Sequence, residues 1–146
     1  MSPTLPAGVA DGLAPTLTAL RLFLHVLGAT VWVGGQIVLL GLLPTARTLG
    51  GEAPKRLAAA FARLAWPAYA LLVVTGVWNI AAVRWSSQST AWRVVLGVKI
   101  GVVALAGVAT LLHTRSGSRA GIAAWGAVAG LSSVAALYLG ILLAGP

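Results

Sequence analysis

Ala19–Pro44 reads ALRLFLHVLGATVWVGGQIVLLGLLP. A helix needs about 20 predominantly apolar residues to cross the hydrocarbon core of a bilayer, and this run is long enough. It lacks the period-two alternation of a membrane strand, so it reads as helix. Yet it holds an imidazole, His25, and seven residues later an indole, Trp32, with Gly28, Gly34 and Gly35 close by. An ionisable side chain inside such a span is costly and marks a candidate functional site.

Outward from this stretch, three more apolar segments are present. The four spans cover about 18–43, 64–83, 94–112 and 121–144, and Pro44 closes the first. The whole chain of 146 residues is 59% hydrophobic and 8% charged, with mean hydropathy +0.95. A soluble domain of this length carries far more charge on its surface. The predicted fold is all-α: residues 1–146 form one integral membrane domain, a four-helix transmembrane bundle with short loops and both termini on the same side. The lipid bilayer is its first partner.

The net charge of +8 sits mostly at the ends of the apolar runs. That pattern suits anionic headgroups and topology signals. No basic patch is interleaved with exposed aromatics, which argues against nucleic acid. With no cysteine, disulfides, thiolate metal sites and iron–sulfur clusters are excluded. Met1 is the single methionine, so no thioether ligand lies inside the membrane. Residues 1–17 lack the basic start of a cleavable signal peptide and read as a short disordered or interfacial lead-in.

In the first loop, TARTLGGEAPKRLAAAFARL, Gly50-Gly51 breaks the chain, and Glu52 and Pro54 suit a helix start. Lys55–Arg63 is expected as a basic interfacial turn before the second span. In the second loop, RWSSQSTAWR, Trp85 and Trp92 are interfacial anchors. The third, HTRSGSR, is a tight turn. The first and third loops share a side and hold six basic residues: Arg47, Lys55, Arg56, Arg63, Arg115 and Arg119. The other side holds three, Arg21, Arg84 and Arg93. The positive-inside rule places the two basic loops in the cytoplasm and both termini outside, in a multi-pass protein of the cell inner membrane.

Depth then selects residues. Arg21 marks the outer end of the first span, with His25 one turn inside it. Lys99 lies six residues past Arg93, roughly 9 Å deeper by the helical rise. Thr75 and Asn79 fall in the outer half of the second span, Tyr138 in that of the fourth. Lys99 is the costliest. It either snorkels to the interface or faces inward. No carboxylate of the chain is available there, since Asp11 is in the lead-in and Glu52 on the other side. Facing inward, it implies an anionic or electron-rich ligand: a propionate, a phosphate or a metal centre.

His25 and Trp32, seven apart, stand on one face, with Gly28 and Gly35 on an adjoining stripe. These glycines serve close helix packing, or leave a slot for a flat macrocycle beside an imidazole, a usual axial ligand of heme iron. Gly97/Gly101 and Gly126/Gly130 are read as packing pairs. His113 is fourteen residues from Lys99, roughly 21 Å, so it does not share an iron with His25 within one chain. It reads as an interfacial imidazole near the last carbonyls of its helix.

At these residues the chain resembles a known superfamily. LHVLGATVWVGG is similar to the first-span signature of the CopD copper-resistance membrane domain and of the HemJ protoporphyrinogen oxidase family, a His followed by a Trp and small residues. KRLAAAFARLAWPAYALLVVTGVW and WRVVLGVKIGVVAL resemble their second and third spans. The likeness covers roughly residues 18–113. It implies heme b bound with help from His25 and Lys99, which would then be the metal-site residues; Trp32, Gly28, Gly35, Asn79 and Tyr138 complete the candidate cofactor site. The Arg/Asn/Glu motif of the HemJ fourth span is missing here, which leaves enzyme activity open.

The expected function is a membrane heme-binding protein for electron transfer or heme handling. The alternatives are a copper transport or resistance protein, a protoporphyrinogen oxidase-like enzyme, and a structural partner that docks as a homo-oligomer or in a larger membrane complex through its glycine faces. For copper, which favours soft ligands, only scattered imidazoles are offered.

Overall fold

The structure, a computed structural model, describes residues 16–145. The lead-in thus lies almost wholly outside the described residues. All regular structure within them is helical, and four helices are long and apolar enough to cross a membrane: α1 (Leu17–Thr48), α2 (Ala53–Ala81), α3 (Thr90–Arg115) and α4 (Arg119–Ala144).

Local chemistry sets the ends. Thr16, Ser89 and Ser118 cap α1, α3 and α4, their hydroxyls accepting the backbone N–H of Ala19, Trp92 and Gly121 at 3.1 Å each. Gly50 and Gly51 turn the chain at φ of 69° and 54°, left-handed values that favour glycine. Pro54 then sits in the first turn of α2, where its missing N–H costs nothing. The Lys55–Arg63 segment is therefore no separate turn; it forms the opening turns of a continuous α2.

Two features of α1 depart from expectation. Pro44 does not close the span, and the helix continues to Thr48. A mid-helix proline removes a backbone hydrogen bond. Here the last turns pack on α2, with Ala46 buried. The helix also widens to a π turn over Thr30–Gly34. A π turn takes one extra residue into the ladder and rotates the later residues of the helix about its axis. Gln36 Nε2 donates to the Trp32 carbonyl at 3.0 Å beside it.

Packing is inverted relative to a soluble bundle. Buried positions belong largely to small residues such as Ala68, Ala106, Ala109, Ala129, Gly107 and Ser133, while Phe23, Val26, Leu131 and Ile141 are exposed. Lipid provides no hydrophobic drive between helices, so small residues permit close backbone approach and large apolar ones face outward. The helices pair as two hairpins, α1 with α2 and α3 with α4. The hairpins are tied together midway: Trp32 Nε1 donates to Ser133 Oγ at 3.0 Å, and Tyr69 Oη to the Val103 carbonyl at 2.8 Å.

Candidate functional site

His25 comes from the first half of α1 and Thr75 from the second half of α2, which the antiparallel hairpin brings level. His25 Nδ1 lies 2.8 Å from Thr75 Oγ1. Thr75 is buried, 1% exposed. Its hydroxyl donates back along its own helix to the Leu71 carbonyl at 2.6 Å. A hydroxyl has one hydrogen, so towards His25 the Thr75 oxygen accepts. The proton of the neutral ring therefore sits on Nδ1, and Nε2 presents a bare lone pair. No hydrogen bond engages Nε2 among the described residues.

Lys99 enters from α3. Its Nζ lies over Gly140 of α4, 3.0 Å from where a Cβ would stand, so Gly140 makes the room that the ammonium fills. Lys99 is half-buried. It thus faces the bundle. It has no hydrogen bond or ion pair among the described residues. Glu52, the acid among those residues, pairs with Lys55 at 3.0 Å in the first loop.

Asn79 stands one turn beyond Thr75 on the same face of α2. Its Oδ1 is buried without a partner, as is Arg21 Nε, one turn beyond His25 on α1. The structure thus collects Arg21, His25, Thr75, Asn79 and Lys99 at one end of the bundle. Arg21 reads in the sequence only as a depth marker. Gly140 carries no signal in the sequence, because nothing in its neighbourhood names the lysine it accommodates.

Other candidates fall elsewhere. Tyr138 is 60% exposed and points away from the bundle, so it does not belong to the site. Trp32 lies seven residues, roughly 10 Å, along α1 from His25. It is a core residue, 3% exposed, with its ring centroid 4.7 Å from Tyr69 and 6.0 Å from Trp66. Gly28 and Gly35 leave no slot for a macrocycle. A Cβ at Gly28 would stand 3.1 Å from the Ala68 carbonyl oxygen, and the ring of Phe61 occupies the space beside Gly35. Both are packing glycines of the α1–α2 seam.

Gly97, Gly101 and Gly130 have open space where a Cβ would stand, so they pack against nothing among the described residues. His113 Nδ1 donates to the Ile122 carbonyl of α4 at 2.7 Å, with Gly126 beside the ring. It ties α3 to α4 rather than capping its own helix. Shallow apolar grooves of about 270 Å³ at Gly28 and about 350 Å³ at Gly107 touch neither His25 nor Lys99. No cluster of three His, Cys, Asp or Glu side chains forms among the described residues.

No family model, no curated protein and no solved structure matches the chain.

Proposed function

We propose that the chain is a multi-pass membrane protein that binds heme b at the His25 end of the bundle, for electron transfer or heme handling. His25 Nε2 would hold the iron. The observation that carries this reading is the Thr75–His25 pair: a hydroxyl that can only accept holds the imidazole in the tautomer that leaves Nε2 free. Ligating histidines are oriented by such an outer hydrogen bond. The residues fit the group in a second respect, since heme carries propionates and this end offers Lys99 and Arg21 with no carboxylate beside them among the described residues.

Bound heme supplies a one-electron iron couple whose potential responds to axial ligand and burial. The chain's own part is to aim the imidazole and to present cations. Lys99 either lends a neutral amine to iron or holds its charge against a propionate. In this reading both termini lie outside the inner membrane and the site lies in the outer half of the bundle, with the first and third loops in the cytoplasm, as their basic residues favour.

Copper has a single imidazole to use at this end, and no thiolate or internal thioether. An oxidase of the HemJ type would want polar groups on the fourth span. Here α4 turns Ser132 and Ser133 into the core and Tyr138 outward.

An absorption spectrum of detergent-purified protein tests the proposal. A Soret band with reducible α and β bands is expected. His25→Ala should insert normally and lose most of the heme, whereas His113→Ala should retain it. Full heme content in His25→Ala would end the axial assignment. Stoichiometric copper without iron would replace the proposal altogether.

A further inference from the structure

Arg21 Nε and Asn79 Oδ1 are the buried side-chain polar atoms that lack a hydrogen-bond partner among the described residues. They are not scattered. Arg21 precedes His25 by four residues and Asn79 comes four after Thr75, so each lies one turn further along the same helix face. The helices are antiparallel and His25 bonds Thr75. The two orphaned groups therefore occupy the next layer towards the chain termini, on adjoining helices. Lys99 adds a second cation facing the same end. An unpartnered buried donor carries a desolvation cost that native structures rarely tolerate without a reason, and the cost is greater for a charged group.

We propose that Arg21 and Asn79 form an anion subsite at the mouth of the bundle, which takes a carboxylate or phosphate oxygen of an amphiphilic ligand. The planar guanidinium fork matches both oxyanions. An amide turned about its last torsion exchanges its oxygen for NH2, so Asn79 serves an anion as a second donor. Two sources offer this chemistry in a membrane: the propionate of a heme and the phosphate of a phospholipid. The subsite goes beyond the iron assignment and does not require it.

The test uses the whole protein in dodecyl maltoside micelles, which carry no phosphate, and tracks modification of Arg21 by phenylglyoxal, read by peptide mass spectrometry against Arg84 and Arg93. Arg21 should react in plain micelles. Hemin should slow it about tenfold, the scale of a lost charge-assisted hydrogen bond, while hemin dimethyl ester should not. That outcome identifies the propionate. Slowing by phosphatidylglycerol added to the micelles without heme, beyond any effect on Arg84 and Arg93, identifies the lipid phosphate. Asn79→Leu should weaken whichever protection is found, and the outward-facing Tyr138→Phe should leave it unchanged.

The proposal is overturned if neither hemin nor the anionic lipid slows the reaction. It is equally overturned if Arg21 is unreactive in plain micelles, whether or not Asp11→Asn restores reactivity; restoration would make the lead-in carboxylate its partner. Lipid protection in a protein that shows no Soret band would end the iron assignment and leave the subsite standing.

Discussion

At His25 the decisive partner is a hydroxyl that has already committed its hydrogen to the Leu71 carbonyl. Thr75→Val removes the acceptor for Nδ1–H and frees the ring to turn. If His25 ligates iron, this change should weaken heme binding by about 10- to 100-fold, the usual cost of losing an outer-shell partner. Thr75→Ser should bind like the parent. A heme titration monitored at the Soret band decides, and equal affinity of Thr75→Val and the parent would remove the role given to Thr75. Lys99 is resolved by two substitutions. A guanidinium has no free lone pair for iron, so Lys99→Arg should alter a low-spin spectrum if the amine ligates. It should preserve the spectrum if Lys99 pairs with a propionate, and Lys99→Met should then lower occupancy. If Lys99→Met changes neither spectrum nor occupancy, the lysine takes no part in the site.

Among the helices, glycine has two different jobs, and only contacts separate them. Gly107 of α3 receives the phenol end of Tyr69 from α2, whose hydroxyl donates to the Val103 carbonyl. Gly107→Ala should therefore force the ring aside and destabilise the fold by about 1–3 kcal/mol, as overpacked sites do. Among the described residues, Gly97 and Gly101 on the same helix meet no atom within 4 Å of an added Cβ. Gly97→Ala should leave the stability of the single chain unchanged or slightly raised, since alanine is the better helix former. Unfolding in mixed micelles at rising SDS fraction would show the contrast. Equal loss in both variants would mean that the Tyr69 contact contributes nothing. The π turn belongs to this scale too. It sits at the level where Trp32, Gln36 and Ser133 join α1 to α4, and Ser133 accepts from both other side chains, at 3.0 and 3.2 Å.

Across the whole molecule, two hairpins meet through a middle layer, and the polar groups of the candidate site gather at the end where the helices run out towards the termini. Charge sets the orientation in the membrane. With six basic residues at the loop end against three at the other, single cysteines at Ser2 and Ser118 should label from opposite sides of intact cells. The chain has no native cysteine to interfere. Labelling of Ser118→Cys from outside would invert the protein and move the site to the cytoplasmic half.

The four spans, the loop order and the depth of His25, Thr75, Asn79 and Lys99 were determined by the sequence alone. Run length, hydropathy and helical rise are one-dimensional quantities, and lipid as solvent leaves few other arrangements. Azimuth and partner were decided only by tertiary structure. Tyr138 shares the depth of the site but faces outward, because Gly140 and Ser133 occupy the inner face of α4. Gly28 and Gly35 lie near an imidazole in sequence, yet α2 fills the space beside them. Pro44 is a helix breaker by propensity, and packing on α2 carries the helix past it. Depth accumulates residue by residue along one helix. Which face meets which neighbour depends on small residues of two helices fitting together, and that fit is a property of pairs.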